Sequence, residues 1–172
     1  DANGNDTGLR ATTNSEGFYK FNNLAAGKYT VMEVHPSGWL DGKDTPGNLG
    51  GSALVSPPGD KISQVMINWG EMGTEYNFGE LLPGSIAGHV AICDDDAAGG
   101  ETDIPIPNVR VDLLDGQGQV VATTTTDSEG KYSFTGLRPG VYSVREHQPA
   151  NYYDDDAEIG SGDGVVVDPS NI

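Results

Sequence analysis

The sequence predicts an all-β protein, with two Greek-key β-sandwich repeats in tandem, each incomplete within this chain. Three observations carry that expectation. One stretch recurs at a fixed offset of 113 residues. Apolar and polar residues alternate in short runs, and turn residues punctuate those runs every ~8–12 positions. No segment shows a helical period of useful length.

The elements follow in order from the repeat. Asp1-Ala2-Asn3-Gly4 answers Asp115-Gly116-Gln117-Gly118 with one residue of slippage, as a hairpin loop permits. The run Thr12-Thr13-Asn14-Ser15-Glu16-Gly17-Phe18-Tyr19-Lys20-Phe21 matches Thr125-Thr126-Asp127-Ser128-Glu129-Gly130-Lys131-Tyr132-Ser133-Phe134. The same offset pairs Leu24 with Leu137, Gly27 with Gly140, Tyr29 with Tyr142, Glu33 with Glu146, and Pro36 with Pro149. An offset this long implies two copies of one folding unit. The first copy takes residues 1–83, through Tyr76-Asn77-Phe78-Gly79-Glu80-Leu81, and the second takes 84–172 from Gly84-Ser85-Ile86. In the second, Val109, Val111 and Leu113 are expected on one strand face and Arg110, Asp112 and Leu114 on the other. Asp127-Ser128-Glu129-Gly130 and Gly136-Leu137-Arg138-Pro139-Gly140 read as turns. Tyr132 shares a face with Phe134, as Tyr142 does with Val144. A strand missing from either copy would leave an open edge that a neighbouring repeat or an identical subunit could fill by strand addition.

Composition narrows the function. Lys and Arg number 9 against 26 Asp and Glu, a formal net charge of −17. Nucleic acid and anionic membrane are thereby disfavoured as partners, and cations favoured. Ten acids and five bases fall in residues 1–83, against sixteen and four in 84–172, so the second copy carries most of the self-repulsion. Gly (25) and Pro (10) are abundant, as many tight turns require. The single cysteine, Cys93, permits no intrachain disulfide and reads as a small strand residue. No apolar stretch approaches the ~18 residues of a membrane span.

The doubled Thr-Thr-Asp/Asn-Ser-Glu-Gly motif, the run Pro139-Gly140-Val141-Tyr142-Ser143-Val144-Arg145-Glu146, and Gly84-Ser85-Ile86-Ala87-Gly88-His89-Val90 together resemble the SdrD B-like family. That family is similar to the Cna B-type, prealbumin-like sandwiches of bacterial surface proteins. The resemblance implies a secreted or surface-anchored module that calcium stiffens. It also implies an EF-hand-like loop at Cys93-Asp94-Asp95-Asp96-Ala97-Ala98-Gly99-Gly100-Glu101-Thr102-Asp103. There Asp94 and Asp96 match the first two ligand places and Asp103 the closing acid, with Glu101 beside it; Ala98 stands where another ligand is expected. A solvated acidic turn is the alternative. A second cluster, Asp154, Asp156 and Asp163, is a further calcium candidate against a charged loop of no special role. The matching loop of the first copy keeps only Asp41 and Asp44, so a weaker site is expected there.

Period-two counting places Glu33 and Glu146 toward the core, where a carboxylate must be paired, hydrogen-bonded or protonated. In Cna B-type domains such a glutamate promotes a Lys–Asn isopeptide bond, and Asn77 occupies a last-strand place. Residues 84–93 contain no lysine, so a hydrogen-bonded structural glutamate is the expectation. His35 and His147 read as equivalent positions beside a turn proline and His89 sits on a strand; none shows zinc spacing. No catalytic constellation emerges, and the expectation is a non-enzyme. The leading reading is an extracellular, calcium-stabilised structural or adhesive repeat that could meet a surface receptor or polysaccharide. The alternatives are a filament subunit completed by strand exchange, and an accessory binding domain of a secreted enzyme with Trp39, Tyr152 and Tyr153 as an aromatic platform.

Overall fold

The computed structural model describes residue 1 and residues 3–53, 60–92 and 104–152. Within these residues the chain is built of antiparallel strands and turns, and no helix is long and apolar enough to cross a membrane. It divides into two compact units, Asp1–Leu82 and Pro83–Ile172.

The first unit contains β1 (Gly27–Met32), β2 (Leu40–Asp41), β3 (Ser52–Ala53), β4 (Lys61–Ile67) and β5 (Glu80–Leu81). One sheet has the order β1-β4-β3, and β2 pairs with β5 in another. Its buried apolar residues, Ile62 and Val65, lie three apart on β4 rather than two. The reason is a bulge: Gln64 has φ 61°, and the β1–β4 register slips between Tyr29 and Val31. An extra residue at a bulge restores the inward direction one position late. Tyr19 adds a ring between Phe21 and Phe78, and its hydroxyl donates to Tyr76 O at 2.6 Å.

The second unit contains β6 (Gly84–His89), β7 (Ala91–Ile92), β8 (Ile104–Pro105), β9 (Arg110–Asp115), β10 (Val120–Thr125), β11 (Lys131–Leu137) and β12 (Tyr142–Glu146). The sheet β10-β9-β12 packs on the pair β11-β6. Val111, Leu113 and Phe134 form the core, with Ile86, Ala122, Tyr132, Leu137 and Tyr142 around it. The alternation along β9 therefore holds for Val111 and Leu113. On the other face of β9 Asp112 is wholly buried as well. Thr123 and Arg145 stand directly opposite it on the two flanking strands and cover it. Buried Thr126 ties the loop before β9 to the end of β10, accepting from Val109 N at 2.9 Å and donating to Ile106 O at 2.7 Å.

Candidate functional site

The predicted calcium ligands Asp94, Asp96, Glu101, Asp103, Asp154, Asp156 and Asp163 lie outside the described residues, as does Cys93. Among the described residues, the concentration of ionisable groups that stands out is in the first unit. His35, Asp60 and Glu80 each direct one ligand-type atom to a common point, all within 4.8 Å of one another. Glu33, Asp41 and Asp44 surround them electrostatically.

Four chain segments are needed to bring these groups together. Beyond β1 the chain stays extended, and Glu33 N donates to Asp60 O at 2.9 Å, which docks Glu33 and His35 beside the start of β4. The β2–β5 pair places Asp41 opposite Glu80. Past that pair the two backbones come unusually close, with Gly42 N donating to Gly79 O at 2.7 Å. A Cβ on Gly42 would sit 2.5 Å from Gly79 O, and one on Gly79 would sit 2.6 Å from Lys43 O. Both positions therefore need glycine for reasons of space. This approach carries Asp44 inward to 8% exposure, where its Oδ1 lies 3.4 Å from Gly79 N.

The resulting electrostatics are unfavourable for bare carboxylates. Burial, then the charges of Glu80, Asp60 and Asp44, push Glu33 up to about 7. Burial likewise raises Asp44, aided by repulsion from Asp41 and Asp60. Tyr19 is pushed up to about 12 by burial and by the negative charges of Glu33 and Asp44. His35 is raised, first by its hydrogen bond to the Trp39 carbonyl and then by Glu80, Asp60 and Asp41. His35 Nδ1, Asp44 Oδ2, Asp60 Oδ1 and both Glu80 carboxylate oxygens are buried without a hydrogen-bond partner. Buried polar atoms are ordinarily satisfied, so five orphans in one place require a cause.

In the second unit a buried carboxylate is paired with cations instead. Asp112 Oδ1 accepts from Thr123 Oγ1 at 2.8 Å and Arg110 Nε at 3.0 Å. Its Oδ2 accepts from Arg145 Nη2 at 3.0 Å and faces His147 Nε2 at 2.6 Å. The His147 contact above all, with the two arginines and Thr123, holds the Asp112 carboxyl well below the usual range. Here two sequence expectations are corrected. His35 and His147 are not equivalent: at the offset of 113, His147 answers Val34 and His35 answers Gln148. A one-residue shift on an extended strand turns a side chain to the opposite face, so the two histidines meet different carboxylates. Glu146, expected toward the core, is exposed. Its counterpart Glu33 is half-buried and faces the charges of Glu80 and Asp60. Asn77 bridges Thr45 and its amide donates to Glu75, which gives it a strand-pairing role.

A match to the SdrD B-like domain covers residues 85–171. The chain belongs to the SdrD B-like family. Similarity to longer family proteins runs through both units. Serine-aspartate repeat-containing protein F of Staphylococcus epidermidis is 32% identical over 168 residues, covering 90% of this chain and 10% of that protein. Serine-aspartate repeat-containing protein D of Staphylococcus aureus is 31% identical over 170 residues, covering 98% of this chain and 12% of that protein. The chain thus spans about a tenth of the length of the curated relatives it matches. No solved structure matches it. Against calcium, the ion that the family resemblance implies, the first-unit cluster fits in part. Asp44, Asp60 and Glu80 supply hard oxygen donors, but the His35 nitrogen is foreign to a calcium shell.

Sequence reasoning missed this cluster because its members are far apart in the chain, at positions 33, 35, 60 and 80. Asp41 and Asp44 were noticed only as a thin version of an acidic loop. The usable signal was Glu33 itself. A carboxylate counted inward on a strand has to face something that tolerates its charge.

Proposed function

We propose that the chain is a non-catalytic structural segment of a bacterial extracellular surface protein, a stiff β module in a longer array, held in shape by calcium at its acidic loops. The observation that carries this reading is the similarity over almost the whole chain to about a tenth of much longer serine-aspartate repeat proteins. A segment of that proportion acts through its neighbours and its own rigidity. Chemistry supports the same conclusion. A shallow depression in the second unit, about 450 Å³, is lined by Asp115, Gly116, Gln117, Gly140, Val141 and Tyr142. Its one carboxylate is spent on the turn, with Asp115 Oδ1 accepting from Gln117 N and Gln119 N at 2.9 Å each. Calcium is favoured by the charge of −17, since external calcium relieves the repulsion that such a surface imposes on a compact fold.

Thermal unfolding with and without calcium tests the proposal. Saturation at a hundred times Kd stabilises by about 2.7 kcal/mol per site, so the transition rises well outside experimental error. Substituting Asp94 and Asp96 by Asn is expected to abolish the part of that rise due to the first loop. An identical melting profile in calcium and in chelator removes calcium from the account.

A further inference from the structure

We propose that His35 Nδ1, Asp60 and Glu80, backed by Asp44, form a binding site for a divalent transition-metal ion of the zinc type, made by other residues than the candidate calcium ligands of 94–103 and 154–163. The first argument is the histidine tautomer. His35 Nε2 lies 3.0 Å from the Trp39 carbonyl oxygen, which can only accept, so Nε2 carries the proton. In the neutral ring, the form a metal binds, Nδ1 then presents its lone pair. That lone pair lies 3.1 Å from Glu80 Oε1 and 3.6 Å from Asp60 Oδ1. An imidazole anchored through one nitrogen to a backbone carbonyl, with the other facing carboxylates, is the arrangement in which histidine serves as a metal ligand.

The second argument is distance. Metal–ligand bonds of ~2.0–2.1 Å at tetrahedral angles separate neighbouring ligand atoms by about 3.3 Å. The two measured separations bracket that edge. A proton on Nδ1 accounts for the cluster less well. Neither contact is a hydrogen bond, the one to Asp60 being too long at 3.6 Å, and Nδ1 and Asp60 Oδ1 remain unsatisfied, while Glu80 also faces the Glu33 carboxyl. One proton also leaves Asp44 Oδ2 unpaired, on a side chain that is more than nine-tenths buried. Asp44 adds a second observation: it is nearly buried and its Oδ2 closes no hydrogen bond, although the Gly79 and Lys61 N–H groups favour its charge. Among the described residues, the ion pairs of Asp60 and Glu80 are both to His35, with no lysine or arginine supplying the charge.

Donor type decides between metals. Calcium and magnesium take oxygen shells, whereas a mixed imidazole and carboxylate set suits zinc and its first-row neighbours. The site is also held firmly on the protein side. Its carriers are pinned by the Glu33–Asp60 backbone bond and the β2–β5 pair, so little ordering remains to be done on binding.

The test uses the whole chain stripped of metal by chelator and dialysed free of it. Zn2+ is titrated by calorimetry, and Co2+ by visible absorption, each in the presence and absence of millimolar Ca2+. The expected result is one His35-dependent Zn2+ per chain, an intense visible band for Co2+, and no displacement by Ca2+. His35→Gln and Glu80→Gln should each weaken Zn2+ binding by at least ~10–100-fold. Glu80→Gln should also raise the melting temperature of the metal-free protein, because it removes one of the repelling charges; a purely structural glutamate would lower it. Zn2+ binding that is absent, insensitive to His35→Gln, or displaced by Ca2+ overturns the proposal. The calcium reading is judged separately, since the calcium-induced thermal shift should persist in His35→Gln.

Discussion

Two stretches of sequence related by the repeat offset have different structures in this molecule. Residues 120–125 and 131–137 are strands β10 and β11 of the second unit. Their repeats at offset 113, residues 7–12 and 18–24, form no strand. What the two copies share is their turns. Asn14 Oδ1 accepts from Glu16 N and Phe18 N as Asp127 Oδ1 accepts from Glu129 N and Lys131 N. Asp1 Oδ1 caps its loop as Asp115 Oδ1 does, and Tyr29 donates to Ala25 O as Tyr142 donates to Arg138 O. Even the left-handed positions correspond, Asn23 at φ 58° answering Gly136 at φ 71°. Turns close on themselves within five residues, whereas a strand exists only beside a partner. β10 and β11 have such partners in β9 and β6, whereas residues 7–12 and 18–24 have no strand paired with them among the described residues.

Hydrogen exchange tests this contrast most sharply and carries the largest effect. Amides of Thr123 and Thr125 in β10 are expected to exchange on the order of 10³-fold more slowly than those of Arg10 and Thr12, because only the former open through cooperative unfolding. Equal protection in the two stretches would mean that the first-unit segment has found a partner strand, and the contrast would dissolve.

The buried charges give the next test, and there the units respond to pH in opposite senses. Asp112 has a depressed folded pKa, so its contribution is complete above the unfolded value near 4 and is lost as pH falls from there through the lower folded value. Glu33 has a folded pKa of about 7 against an ordinary value of 4.5. Protonation therefore favours the fold, and metal-free unit 1 loses stability as pH rises from ~4.5 through 7. Calorimetry of the chelated protein should show one transition strengthening between pH 7 and 5 and the other weakening below pH 4. Asp112→Ala, which leaves Arg110, Arg145 and His147 without their anion, should lower the second-unit transition by more than ~10 °C and remove its acid sensitivity. Two transitions that shift together at every pH would contradict the assignment.

The smallest effect concerns the shared turns. Tyr29→Phe and Tyr142→Phe each remove one hydroxyl-to-carbonyl bond of similar geometry, 2.8 Å and 3.0 Å. Each should cost roughly 1 kcal/mol, and the two costs should agree within measurement error in chemical denaturation. A large difference would show that these corners depend on their surroundings after all.

The sequence alone determined whatever is local or periodic: the all-β class, the doubled turns, the inward faces of β9 and β11, and the direction of Glu33. Each of these is encoded within a few neighbouring residues, through backbone preference or through the two-residue period of an extended chain. Tertiary structure decided the rest. It made strands of residues 120–125 but not of residues 7–12, and buried Asp112 beneath Thr123 and Arg145 on the face of β9 opposite Val111 and Leu113. It also gathered His35, Asp44, Asp60 and Glu80 from four segments, through a backbone approach that only Gly42 and Gly79 allow. Pairing and desolvation are properties of groups distant in the chain, and no run of adjacent residues specifies the partner.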